Sequence, residues 1–279
     1  MKNNKSQTKL YLRENRTLFI GQHEKPIIVS TGAATFILSL NEPIRFKTNE
    51  MSKPKPCRSL LLKAGTSVVL NFGKANVLNF TLDPTGLDLC RLSQHMEQEV
   101  GSALLNVSGE EALINQARNI VKSTQGNSEL FKILMNLLAL GQCSKSTQSR
   151  NISHKLDPRA KKVIDVIQDT TSENLSLSEL ASRANMSPSR LVQVFKQQTG
   201  LPVRRYRLWH RLITTAHAVG QGQNLTEAAV LAGFTDSSHF NRTFRSMLNI
   251  KPSDIFSIEN PVQIVKPMTE YEPAIQLIS

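Results

Sequence analysis

Leu177-Ser-Glu-Leu-Ala-Ser-Arg-Ala-Asn-Met186 is echoed 48 residues later by Leu225-Thr-Glu-Ala-Ala-Val-Leu-Ala-Gly-Phe234. One extra residue then enters, so Leu191 and Phe195-Lys196 pair with Phe240 and Phe244-Arg245 at an offset of 49. A unit that occurs twice, each time as short helix, turn and second helix, reads as a tandem helix-turn-helix. DNA is the expected partner of such a unit.

The local chemistry of both copies agrees with that reading. Ser176 and Glu179 stand at capping-box spacing, with Leu177, Leu180, Ala181 and Ala184 following at helical spacing. Ser187-Pro188 restarts the chain with a good cap and a proline at the first helical position. In the second copy Asn224 and Glu227 cap the first helix. Ala228, Ala229 and Ala232 keep it thin, Gly233 supplies the turn and Asp236 caps the next helix. Leu191, Val194, Phe195, Phe240, Phe244 and Met247 face inward. The outer faces are left with Ser189, Arg190, Val192, Gln193 and Lys196 in one unit and Ser238, His239, Asn241, Arg242 and Arg245 in the other. These ten are the candidate DNA-binding residues. Arg190, Gln193, Ser238, His239 and Arg242 are the candidates for base edges, since Arg suits guanine and Gln suits adenine. Between the units, Val203 to Val219 predicts one helix of roughly 25 Å at 1.5 Å per residue. It would set two recognition helices near one DNA turn apart, about 34 Å.

Ala229-Val-Leu-Ala-Gly-Phe-Thr-Asp-Ser-Ser-His-Phe-Asn-Arg-Thr-Phe-Arg245, followed by Lys251-Pro-Ser253, resembles the AraC/XylS family of bacterial transcription regulators. The resemblance covers about residues 158–256. It departs from the family pattern at Pro202, Thr215, Asn249, Lys251 and Ile255-Phe256. What it implies is a DNA-binding activator that works with RNA polymerase, as a homodimer, and that takes an unidentified small-molecule effector where it has one.

Composition is consistent with a nucleic-acid partner. The formal net charge is +12. Residues 141–256 carry 16 basic and 8 acidic residues, against 17 and 11 in residues 1–140, so the basic excess is denser in the C-terminal part. Cys57, Cys90 and Cys143 are widely spaced and form no CxxC pair, as suits a reducing cytoplasm without a disulfide framework. Met1 to Leu10 has no apolar core, and the apolar run Leu130 to Leu140 is too short to span a membrane, so neither a secretory signal nor a membrane partner is expected.

The expected fold class is α+β: a small N-terminal β-sandwich or cupin-like barrel with helices, then an all-α tandem helix-turn-helix domain. Residues 1–140 form the sensor and dimerisation domain, β-rich over 17–83 and helical over 87–140. Seven strands are expected, at 17–20, 27–30, 35–40, 44–47, 59–62, 67–70 and 77–82. Helices are expected at 87–100, 110–123 and 128–140. Residues 141–157 are the linker, 158–256 the DNA-binding domain and 257–279 an irregular tail. The width of the apolar face from Leu130 to Leu140 suggests a dimer interface over 110–140, against the ordinary alternative of packing on the barrel.

Cupins that hold a metal cluster several His with an acidic residue. The candidate barrel offers only His23 beside Glu24, so no metal or other cofactor is expected, and His23 reads as a surface loop residue. No catalytic residue is expected. The competing enzyme reading is a DNA-repair alkyl acceptor using Cys57, which follows Lys-Pro-Lys-Pro56. The other competitor is a repressor with no effector.

Overall fold

A computed structural model of the 279-residue chain describes residues 9–13, 15–23, 25–82, 87–122, 127–140, 156–248, 251–256 and 263–264. The N-terminal part is built from β1 (Lys9–Arg13), β2 (Arg16–Gln22), β3 (Ile27–Ser30), β4 (Thr35–Ser39), β5 (Ile44–Thr48), β6 (Lys55–Cys57), β7 (Ser59–Leu62), β8 (Ser67–Asn71) and β9 (Asn76–Thr81). Next come α1 (Leu87–Ser93), β10 (Met96–Val100), β11 (Ala103–Val107), α2 (Glu110–Lys122) and α3 (Asn127–Leu140). The C-terminal part holds α4 (Pro158–Asp169), α5 (Leu177–Arg183), α6 (Pro188–Thr199), α7 (Val203–Gly220), α8 (Leu225–Leu231), α9 (Ser237–Leu248) and α10 (Pro252–Ile255), and then β12 (Gln263–Ile264).

The strands make two sheets. The larger runs β10-β11-β7-β4-β9-β2-β1-β12 and the smaller β3-β8-β5-β6. Strand composition shows which sheet lies in the middle. In β4, Phe36 and Leu38 point to a core shared with the helices, while Ile37 points to the core shared with the small sheet, and all five residues are buried. A strand covered on both faces reads as a continuous apolar run rather than an alternation. β8 does alternate: Val68 and Leu70 face in, Ser67, Val69 and Asn71 face out. Small sheet, large sheet and helices therefore form three layers. α3 lays Leu130, Phe131 and Leu134 onto the large sheet, with Phe131 edge-on to Phe80 at 5.4 Å.

In the C-terminal part α7 belongs to two cores. Val203 and Tyr206, near its start, pack with Val163, Leu180, Leu191 and Phe195 of α4, α5 and α6. Trp209, Leu212 and Ile213 pack with Ala229, Phe240 and Phe244 of α8 and α9. The second core also takes in Phe19 and Ala33 from the β part. The two parts of the chain touch there, and the backbone of Gly32 lies so near Trp209 that a Cβ would stand 2.7 Å from the ring atom Cε3. Arg205 adds a hydrogen bond to the carbonyl of Ser30.

Several expectations need correction. The helix expected at 87–100 stops at Ser93, and 96–107 is a β-hairpin of β10 and β11, so 87–140 is not all helical. β1 and β6 were not foreseen. Within the tail expected to be irregular, Gln263 and Ile264 pair in parallel with Tyr11 and Leu12 at the edge of the large sheet. Residues 141–155, most of the expected linker and including Cys143, lie outside the described residues. Leu130, Phe131 and Leu134 are spent on packing within the chain, which is the ordinary alternative to a dimer face.

Overpacking a closed contact costs about 1–3 kcal/mol, so Gly32→Ala is expected to lower stability by that amount in urea denaturation. It should also shift the emission of Trp209, the only tryptophan in the chain. Unchanged emission and midpoint would show that the Gly32–Trp209 contact is not closed in solution.

Candidate nucleic-acid interface

Both helix-turn-helix units are built by the local chemistry that their sequences carry. At α5 the capping box is complete: Glu179 N donates to Ser176 Oγ at 3.1 Å, and Ser176 N donates to Glu179 Oε2 at 2.6 Å. Ser187 caps α6 by accepting from Arg190 N, with Pro188 at the first helical position. Asn224 caps α8 by accepting from Glu227 N at 2.9 Å. Asp236 accepts from His239 N at 2.7 Å at the head of α9. The turns match as well. Asn185 and Gly233, equivalent in the repeat, both adopt left-handed backbone, with φ of 53° and 93°. Asn is among the few side chains that tolerate this conformation. At the second site only a glycine also fits the space, because a Cβ there would lie 2.9 Å from the Arg211 guanidinium.

Arg211 explains that demand. It is buried in α7 and donates to the carbonyls of Thr171 and Glu173 at 3.0 Å and to Asn174 Oδ1 at 2.9 Å. Burial, with Arg207 nearby, lowers its pKa. The guanidinium ties the loop after α4 to the centre of α7 and backs the second turn. Sequence reading missed it, since nothing in the helical pattern of 203–219 marks one Arg of several as buried. Thr215, at a position where the family has Ala, donates to the Arg211 carbonyl at 2.8 Å, so its buried hydroxyl is satisfied.

On α6, Ser189, Arg190, Val192, Gln193 and Lys196 are all exposed. Arg190 Nη1 donates to Gln193 Oε1 at 2.9 Å, so these two form one surface pair. Exposed Gln197 extends the same helix beyond Lys196 and was not foreseen. On α9, Ser238, Arg242 and Arg245 are exposed. His239 and Asn241 are half-buried. The His239 ring lies edge-on to Phe234 at 5.3 Å with Nδ1 3.3 Å from Thr235 Oγ1, and Asn241 Nδ2 donates to the Ser237 carbonyl at 2.8 Å. These two side chains already have work inside the unit. Behind these faces, Leu191, Phe195, Phe240 and Phe244 are buried in the register that the repeat dictated.

The geometry is that of two equivalent units hung on one helix. The comparisons agree. Residues 180–257 match a family model described as a helix-turn-helix domain. The HTH-type transcriptional activator RhaS of Escherichia coli is 29% identical over 141 residues, which is 50% of this chain and 49% of that protein. The C-terminal part of the chain is thus similar to helix-turn-helix transcription regulators. It spans about half the length of the curated relatives it matches. A likeness of fold extends over most of the chain. Crystal structures of ToxT from Vibrio cholerae are similar at TM-scores of 0.58 and 0.59, with 14% identity. The second, described as bound to an unsaturated fatty acid, covers 90% of this chain and 99% of that one.

The chemistry required of an alkyl acceptor is missing at Cys57. That side chain is buried in the core between the sheets, and burial, with the nearby Glu110 carboxylate, pushes its thiol up to about 12. A thiol held protonated is a poor nucleophile. His23 needs a different correction. It is not a surface loop residue but is mostly buried, stacked between Phe19 at 5.0 Å and Phe72 at 4.5 Å, and burial lowers its pKa to about 4. Among the described residues no cluster of three His, Cys, Asp or Glu could hold a metal ion. Nor is any described helix long and apolar enough to cross a membrane.

Truncating a large buried aromatic costs roughly 3–5 kcal/mol, and Phe244→Ala should show a loss of that size in thermal or urea unfolding. Arg245→Ala, one residue on and exposed, should leave the unfolding curve nearly unchanged. Equal losses at the two positions would refute the assigned register of α9.

Proposed function

We propose that this protein is a sequence-specific DNA-binding transcription regulator, an activator, that reads two adjacent major-groove segments per chain. The observation that carries the reading is the pair of helices α6 and α9. Each presents exposed Arg, Gln, Ser or Lys side chains outward, and each is anchored by its inner face to the same helix α7. A side-chain array of this kind offers both phosphate and base-edge contacts. Arg190, Gln193 and Arg242 are the leading base readers. Ser189, Val192, Lys196, Ser238 and Arg245 complete the surface. His239 and Asn241 rank lower, because their polar atoms are engaged within the unit.

The N-terminal domain is the regulatory part of this proposal, sensing an effector or pairing two chains. Work with RNA polymerase rests on the family resemblance, a homodimer on that resemblance and the apolar residues of 130–140, and a cytoplasmic location on the spacing of the three cysteines. The dimer has less physical support than the sequence suggested, because Leu130, Phe131 and Leu134 of α3 pack on its own β domain. Leu134→Glu would disrupt that core, so it is no test of dimerisation. An activator is preferred over a repressor because RhaS is named as one.

Footprinting of the full-length chain on its operator is expected to show two protected major-groove segments about 10 bp apart per monomer. A single protected segment would contradict the tandem reading. Gln193→Ala is expected to change sequence preference at one position by about 1–3 kcal/mol of base discrimination. An equal loss on specific and random DNA would instead assign Gln193 to the backbone.

A further inference from the structure

Where the two parts of the chain meet there is a cleft of about 670 Å³, its mouth included. One wall is the large sheet, through Leu10, Leu12, Phe19 and Asn79. The other is the helical domain, through Trp209 and Ala216 of α7 and Phe244 and Leu248 of α9. Its lining is mostly apolar with a few placed polar groups, which is the character of small-molecule sites. The polar residues of the lining are Thr17, His23, Asn79 and Thr81, and no described lining residue is Lys, Arg, Asp or Glu. The cations of β1 do not supply one, since Lys9 and Arg13 alternate with Leu10 and Leu12 and so point to the other face of the strand.

Three lining residues carry buried polar atoms without a hydrogen-bond partner: His23 Nε2, Asn79 Oδ1 and Trp209 Nε1. They converge on Phe19. Asn79 is its partner across β2 and β9, His23 stacks on its ring, and Trp209 shares its core cluster. A buried polar atom left without a hydrogen bond is costly, so three around one apolar cleft call for a ligand group that both donates and accepts. Trp209 offers a donor, Asn79 an acceptor, and His23 either, depending on its tautomer.

The geometry points to a binding site for an uncharged amphiphile: an apolar chain or ring system filling the cleft, with a hydroxyl or primary amide head set among His23, Asn79 and Trp209. A carboxylate fits poorly. It accepts without donating, and it would be buried with no cation in the described lining. Burial also keeps His23 neutral, with a pKa near 4, so that ring does not supply the missing charge at ordinary pH.

Trp209, the only tryptophan of the chain, forms part of the wall and reports occupancy directly. Full-length protein at pH 8 would be titrated with 1-decanol and with decanoate, which share chain length and differ in head charge. Decanol is expected to change Trp209 emission saturably at one site per chain, with decanoate at least tenfold weaker. Asn79→Leu should weaken decanol several-fold, and Ala216→Phe should abolish the response by filling the cleft. Decanoate binding as tightly as decanol overturns the neutral-head assignment. No saturable binding of decanol, by fluorescence and by calorimetry, overturns the site. A folded Ala216→Phe with wild-type affinity also overturns it, and if that variant fails to fold, Thr81→Leu on the opposite wall takes its place with the same criterion. None of these measurements involves DNA, so their failure and failure of the DNA-binding reading are separate results.

Discussion

Trp209 stands where the two parts of the chain are joined, and the rest of the arrangement hangs on its packing. Its ring closes on the backbone of Gly32 and shares a cluster with Phe19 and Ala33 of the β part, with Ala229 of α8 and with Phe240 and Phe244 of α9. An interdomain contact made mainly of polar groups would leave the parts free to reorient. Here a large aromatic side chain is committed to both at once. The sheet that carries Phe19 and the helix that carries Phe244 therefore share one apolar seam, and what alters one side is felt on the other through close-packed atoms.

The helical domain was legible because its signals are local and doubled. Capping pairs, a proline at a first helical position and a glycine in a left-handed turn act within a few residues. Their recurrence at a fixed offset removed the ambiguity that any one of them carries. The hairpin of β10 and β11 shows the opposite case. Met96-Glu-Gln-Glu-Val100 is made of good helix formers, and in the structure only Met96 of the five is buried. Its strand conformation comes from pairing with β11, which packs Ala103 and Leu105 between the sheets. Tertiary pairing overrode propensity there.

The remaining misses have the same origin. β12 is two residues long and owes its form to the free edge of β1. Nothing in Gln263-Ile264 predicts that. His23 looked like a loop residue because its neighbours in sequence are polar, while its neighbours in space, Phe19 and Phe72, come from a strand and a distant loop. Among the ten candidate interface residues, exposure followed the helical period for eight. For His239 and Asn241 the short capping segment at the head of α9 drew the side chains inward. Their period was right, but the period alone does not record bonds to Thr235 and the Ser237 carbonyl.

The double membership of α7 bears on how the helical domain comes apart. Val203 and Tyr206 serve one core, Trp209, Leu212 and Ile213 the other, and between them the Arg211 guanidinium holds the loop that follows α4. Neither half can lose its packing without unsettling a helix that the other half also needs. The repeat is thus doubled in sequence, but its two halves share α7 and are expected to melt as one foldon, in contrast to stacked repeats whose units fray from the ends.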